Sequence, residues 1–176
     1  VRLSCPITVA HSGLAQLLPR FMERYPAVRV DLRVMNRPVD LIEEGIDIAL
    51  RVRPTIEDST VLVAKTFGTS RGVLVASPDL LARQGPVDTP ADLARLHTAA
   101  MSVNGEGRSD WRLEGPKGEI HVHSHFPRYV ADDLATLQFA TLGGVGATML
   151  PDYMCRADVS AGRSTCRKCP APSMVW

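Results

Sequence analysis

No apolar run in this chain approaches the ~20 residues that a bilayer-spanning helix needs, so no membrane span is expected. The opening Val1-Arg2-Leu3-Ser4 lacks the basic-then-apolar pattern of a secretory leader. Charge of either sign is not in excess: 20 Lys+Arg against 19 Asp+Glu leave a formal charge of +1. That balance argues against nucleic-acid binding by this chain alone, which calls for a basic surface against phosphate. Cysteine is scarce and uneven, at positions 5, 155, 166 and 169. This usage reads as reduced thiols of a cytoplasmic protein rather than a disulfide framework. Cys166-Arg-Lys-Cys169 is a lone CxxC, without a second pair to complete a four-thiolate zinc site. There is no initial Met, and the first residues already read as a strand, so the chain is expected to be a piece cut at a domain edge.

Catalytic signatures are missing too. The chain has no GxSxG elbow, no GxxxxGK[ST] phosphate loop, no HExxH helix and no GxGxxG after a strand. Gly143-Gly144-Val145-Gly146 is glycine-rich, but it follows a helix and enters a strand, the reverse of a phosphate cradle. It reads as a helix stop with close backbone packing. His121, His123 and His125 alternate along a strand and project from one face. Such a row suits zinc or copper, or is simply a solvated strand face. His11-Ser12 suggests a base beside a nucleophile, but adjacent residues rarely hold that geometry, and Ser12 also reads as a helix cap. No catalytic residue, resident metal or cofactor is therefore expected.

What is present is an alternation of strands and helices at a length, 176 residues, that fits one domain or two small lobes. Arg2–Cys5 reads as a strand stopped by Pro6. Leu14, Leu17, Leu18, Phe21 and Met22 form the stripe of an amphipathic helix, with Pro19 inside it and Tyr25-Pro26 ending it. Val28, Val30, Leu32 and Val34 alternate with polar residues, predicting a strand with one buried face. A short helix over 39–44, ended by Gly45, leads into a third strand over 46–52. This β-α-β-α-β order predicts a parallel sheet.

Beyond a polar stretch at 53–60, the runs 61–64 and 72–77 are apolar. Ser77-Pro78 opens a short helix that Gly85 closes, and Thr89-Pro90 opens another. A strand over 98–102 follows, then a hairpin of 111–113 with 119–125, a strand at 129–131, a helix capped by Asp132, and a strand over 145–150. From residue 155 the pattern weakens. In open α/β sheets ligands bind beyond the carboxyl ends of the strands. Those ends carry His11 and Ser12, Asn36 and Arg37, and Arg51 or Arg53; later they carry Ser102 and Asn104, then Asp132. Two arginines and a helix N-terminus suit a small anion such as a carboxylate.

Residues 17–21 (Leu-Leu-Pro-Arg-Phe), Tyr25-Pro26 and the run from Val39 to Arg51, of the form xVDLxEEGxDxAxR, resemble the first lobe of LysR-type effector domains. Val73–Pro78, Thr89–Leu93, Gly143–Pro151 and Ala161-Gly162-Arg163 continue the resemblance to about residue 163. It implies two Rossmann-like α/β lobes with a central cleft, like type 2 periplasmic binding proteins, with lobe I over 1–64 and lobe II over 65–176. It also implies a small effector between the lobes, at Ser12 and Arg37 on one side and Ser102 and Asp132 on the other. Side-by-side pairing of two copies is implied as well, as a homodimer or tetramer, with Leu14, Leu18, Phe21 and Met22 supplying part of the contact. DNA would be read only by an N-terminal helix-turn-helix outside this sequence; the family's last strand and helix are expected to lie outside it too. The rival readings are a transporter's solute-binding protein of the same fold and an enzyme on this scaffold.

Overall fold

The computed structural model describes residues 1–37, 39–53, 61–115 and 118–166. The chain falls into two compact units, divided between residues 60 and 61.

The first unit is built on three parallel strands, β1 (Arg2–Cys5), β2 (Asp31–Val34) and β3 (Ile48–Ala49), in the order β2-β1-β3. The central strand is the buried one: Leu3, Ser4 and Cys5 are all inside. The connection from β1 to β2 is helical from Ile7 onward: α1 (Ile7–Val9), a wide π-turn over Ala10–Leu14, and α2 (Ala15–Arg24), which contains Pro19. Gly13, at φ 178° and ψ −40°, is where α1 and α2 change direction.

The expected helix over 39–44 is a single turn. Asp40 caps it by accepting from the Ile42 and Glu43 N–H groups, at 2.9 and 3.0 Å. Gly45 ends it at φ +60°. The Ile46 N–H donates to Leu41 O and the Gly45 N–H to Ile42 O, a Schellman closure that turns the chain into β3.

β2 departs from expectation. Its alternation predicts one buried face, yet Leu32 is only half-buried and Val34 is 38% exposed. Leu32 and Val34 stand in register with Leu3 and Cys5, so that face is covered over the central strand and opens to solvent toward the edge strand. Helix α2 has no buried residue either.

The second unit contains both hydrophobic cores of the described chain. Strand β4 (Gly72–Ala76) runs antiparallel between β9 (Thr148–Pro151) and β10 (Thr165–Cys166). β5 (Ala99–Ala100) lies parallel to β8 (Tyr129–Val130). A parallel bridge between Thr98 and Ala147 joins the two sets. Alternation along β4 and β9 sends side chains to opposite faces. Leu74, Ala76 and Met149 join Leu80, Leu93, Trp111 and Leu113 in one core, while Val75 and Leu150 join Ala99, Leu137 and Cys155 in the other.

Helix α3 (Pro78–Gln84) is capped by Ser77, whose hydroxyl accepts from the Leu80 N–H at 3.2 Å, and closed by Gly85 at φ +90°. The Thr89-Pro90 start gives a tighter 3-10 helix over Pro90–Arg95. Its anchor is Asp92, which accepts from the Asp88 and Thr89 N–H groups and the Thr89 hydroxyl. Those donors hold the carboxyl down to about 2.

β6 (Ser109–Glu114) and β7 (Ile120–His125) form the expected antiparallel hairpin, with Trp111 opposite His123. Helix α4 (Leu134–Leu142) ends at Gly143-Gly144, the second at φ +72°. Helix α5 (Asp152–Ser160) is an element the sequence reading does not contain. It starts directly after β9 and buries Cys155 and Asp158. The apolar run 61–64 forms no strand. The CxxC lies outside the described residues beyond Cys166, as does the rest of the C-terminal stretch.

The glycine-rich turn packs as read. A Cβ added to Gly146 would sit 2.7 Å from the Thr98 carbonyl carbon and 2.9 Å from its Cα, both backbone atoms that cannot swing aside. Gly146→Ala is therefore expected to destabilise the chain by at least ~1–3 kcal/mol, the usual cost of overpacking. Gly143→Ala, whose nearest neighbour is a carbonyl oxygen at 3.4 Å, is expected to cost far less. Urea unfolding of both variants against the parent measures the difference.

Candidate functional site

In the first unit the register pairs Cys5 with Val34 and Ser4 with Ala49, so the carboxyl ends of all three strands share one edge. The loops at that edge are tied together. The Met35 N–H donates to Cys5 O at 3.0 Å, and the Leu50 N–H to Ser4 O at 2.8 Å. Asn36 Oδ1 accepts from the Ile7 N–H at 3.2 Å. Asn36 thus satisfies a donor at the start of the helix that follows β1.

His11 and Ser12 lie in the π-turn, both exposed. Ser12 does not cap the helix. Its hydroxyl donates to Val9 O at 3.4 Å, a mid-helix back-bond. The helix begins well before it because Pro6, at φ −62° and ψ 150°, already turns the chain and Asn36 supplies the acceptor.

The arginines differ from one another. Arg37 lays its guanidinium across Glu44 in a two-pronged pair at 2.7 and 2.8 Å. The bond holds the Glu44 carboxyl below the usual range and raises Arg37. An incoming anion would have to displace that carboxylate.

Arg51 is half-buried. One of its nitrogens donates to Ser4 Oγ at 2.9 Å and another to Leu50 O at 2.7 Å. It pairs with no carboxylate among the described residues. Burial lowers its pKa, as does the like charge of Arg53, with Cys5 and Glu44 acting the other way. A guanidinium has five N–H donors, so Arg51 retains donors beyond those two contacts. Around it lie the fully buried Ser4 and Cys5, and burial pushes the Cys5 thiol up while Arg51 pulls it down. Ser4 and Cys5 were not singled out from sequence. Their one signal is position: they end the first strand, immediately before Pro6.

In the second unit, β5 and β8 pair through Ala100 and Val130, and the Ala131 N–H donates to Ala100 O at 3.1 Å. Ser102 and Asp132 follow the ends of these neighbouring parallel strands, so the fold brings them to the same sheet edge. Both are exposed. Asn104 is occupied in its own loop, where its Oδ1 accepts from the Glu106 and Arg108 N–H groups.

Asp132 does not cap α4. The cap is Asp133, which accepts from the Thr136 N–H at 2.7 Å and its hydroxyl at 2.8 Å. The shift of one residue leaves Asp132 outside the helix. His121, His123 and His125 do share one face of β7, but His125 is only 8% exposed. Among the described residues no group of three or more His, Cys, Asp or Glu side chains is placed to hold a metal ion.

A family model, the LysR substrate binding domain, matches residues 1–175. The chain belongs to the LysR substrate binding domain family. An HTH-type transcriptional regulator of Xanthomonas campestris pv. campestris is 32% identical over 165 residues, which is 92% of this chain and 47% of that protein. Among solved structures, a full-length AphB variant superposes with a TM-score of 0.83 at 25% identity, covering 98% of this chain and 58% of that one. The CrgA regulatory domain of Neisseria meningitidis, a LysR-type transcriptional regulator, gives 0.80 at 26%, covering 99% and 83%. This LysR domain therefore has the two-lobe α/β fold of the type 2 periplasmic-binding-protein class. The chain spans about half the length of the curated relatives it matches.

The helix-cap assignment separates two neighbouring acids. Asp133→Ala is expected to lower stability by ~1 kcal/mol, the cost of a lost cap. Asp132→Ala is expected to stay within ~0.5 kcal/mol of the parent, as an exposed substitution. Thermal unfolding of the two variants at one pH distinguishes them.

Proposed function

We propose that this LysR effector-binding domain senses a small acidic molecule on behalf of a cytoplasmic DNA-binding regulator and carries out no catalysis. The observation that carries this reading is Arg51. It is a half-buried cation at the carboxyl edge of the first sheet, oriented by Ser4 and paired with no described carboxylate. A desolvated guanidinium with unused donors favours a bidentate anion such as a carboxylate.

His11, Ser12 and Asn36 stand in the loops of the same edge and provide polar contacts, with Arg37 available if the ligand outcompetes Glu44. In the second unit, Ser102 and Asp132 stand beyond the ends of β5 and β8 and are proposed effector contacts there. Effector binding acts by favouring one arrangement of the regulator over another, which requires different affinities for the two.

The matched relatives are transcriptional regulators, so the transporter-protein reading is not favoured. DNA contact belongs to a helix-turn-helix outside this sequence. Pairing with a second copy, in a homodimer or tetramer, is supported by the apolar stripe of the first helix. Phe21 is 42% and Met22 44% exposed there, beside half-buried Leu14 and Leu18.

The test is a thermal-shift screen of this chain against small aliphatic and aromatic carboxylates, followed by titration of the best one. A charge-assisted hydrogen bond contributes ~1.5–3 kcal/mol, so Arg51→Leu is expected to weaken binding about 10- to 100-fold. Arg51→Lys should retain part of the affinity, and Ser12→Ala should weaken binding with little change in the unliganded Tm. Undiminished affinity in Arg51→Leu and Ser12→Ala removes these residues from the site.

A further inference from the structure

Of the three histidines of β7, His121 is exposed but His123 and His125 are not a solvated pair. His125 is buried, its ring stacked on His123 at 5.6 Å between centroids and 11° between planes, and packed at 4.1 Å against Trp111. Trp111 also lies 5.8 Å from His123. His125 Nδ1 and the Thr98 hydroxyl share a 2.6 Å hydrogen bond. Thr98 itself is buried and bridged to Ala147 in the unit's sheet. The bond is therefore a peg holding the β6–β7 hairpin to that sheet. The Nε2 atoms of both His123 and His125 are buried without a hydrogen-bond partner.

A neutral imidazole tolerates this arrangement, because an orphaned ring nitrogen costs far less to bury than a charge. An imidazolium does not: both its nitrogens are donors, and the Nε2–H would carry positive charge into a site with no acceptor. A second proton on the stacked partner adds like-charge repulsion between rings in contact.

We propose that the stacked His123–His125 pair, clamped between Trp111 and Thr98, is an acid-sensitive latch whose protonation releases the β6–β7 hairpin from the sheet of the second unit. Each step is the uptake of one proton from water by one imidazole.

The surroundings do little to neutralise the charge. On β6, Asp110 favours protonation of His125 but already accepts from the Ser124 hydroxyl. On β7, His121 opposes protonation of His123, and His123 opposes that of His125. The 3-10 helix packed against β7 carries Asp92 and Arg95, which pair with each other at 2.8 Å. Flanking Thr98, His97 Nδ1 lies 3.2 Å from an Arg128 nitrogen, and Arg108 stacks over Phe126.

Burial and, after it, the neighbouring imidazole push His125 down to about 4 in the folded chain, against an ordinary 6.5. For a base whose folded pKa is depressed, the unfolded or opened form binds the proton first. The latch is thus fully closed above about pH 6.5, and its stability is lost as pH falls from 6.5 toward 4.

The test is amide hydrogen exchange of the 176-residue chain between pH 7.5 and 4.5, read as protection factors so that the intrinsic pH dependence cancels. Protection of the hairpin amides over 109–114 and 120–125 is expected to fall below pH 6.5, by up to about tenfold per pH unit for each proton taken up, while β4 and β9 keep theirs. His125→Asn, which can still reach Thr98 but cannot ionise, should leave at most the one-proton response of His123. His123→Phe, which keeps a stacked ring, should reduce its steepness to that of one proton. Hairpin protection that does not change with pH, or the parent's pH response surviving in both variants, overturns the proposal.

Discussion

The second unit rests on the close passage of two backbones, where the residues leading into β9 run parallel to those leading into β5. The Ala147 N–H donates to His97 O, the Ala99 N–H to Ala147 O, and the Thr148 hydroxyl to Ala99 O, each at 2.8 Å. Thr98, Ala99, Ala147 and Thr148 are all essentially excluded from water. Every polar group in that seam must be paired, because an unpaired one in so dry a place costs more than the bond contributes. Glycine at position 146 permits the approach. The seam in turn fixes where β5 ends, where β8 lies beside it, and where the hairpin hangs from the Thr98 hydroxyl.

The first unit solves a smaller problem with fewer buried groups. Its central strand is covered, its outer strands are not, and its long helix shows apolar side chains to the surroundings. Its order at the strand ends comes instead from local polar closures: Asp40 at one end of the short turn, Gly45 at the other, Asn36 at the start of the helix and Ser4 on Arg51. These closures differ in consequence. The Arg37–Glu44 pair is exposed and contributes little to stability. Its effect is to keep one arginine occupied, while Arg51, half-buried at that edge, has donors to offer.

Much of this architecture is legible in the chain because the signals are local. Gly45, Gly85 and Gly144 stand at positive φ where helices end. Ser77 caps α3, and the hairpin pairs as its alternation predicts. The failures share a physical cause. Ser12 and Asp132 are good capping residues by type, but a partner elsewhere already did the work: Asn36 from the next strand in one case, adjacent Asp133 in the other. Helix α5 escapes notice because its buried side includes Asp158, which no apolar period reveals. That carboxylate is held inside by Gln138 at 2.6 Å and Arg163 at 2.7 Å. For the histidine row, spacing told that three rings share a face. Which ring is buried depends on Thr98, far away in sequence.

That tertiary placement decides what the histidines can do. A row of imidazoles in water titrates near its ordinary pKa and moves nothing, because the folded and unfolded chains bind the same protons. Burying one ring against a tryptophan and tying it to a sheet strand makes proton binding and hairpin docking compete for the same free energy. The bond is received by Thr98, immediately before β5, and Ser102 stands beyond the other end of that strand. The proton is taken up on β7, and its effect reaches the neighbourhood of β5 through the Thr98 hydroxyl. β5 is also held by its pairs to β8 and by the seam with Ala147 and Thr148, so release of the hairpin removes one tie among several.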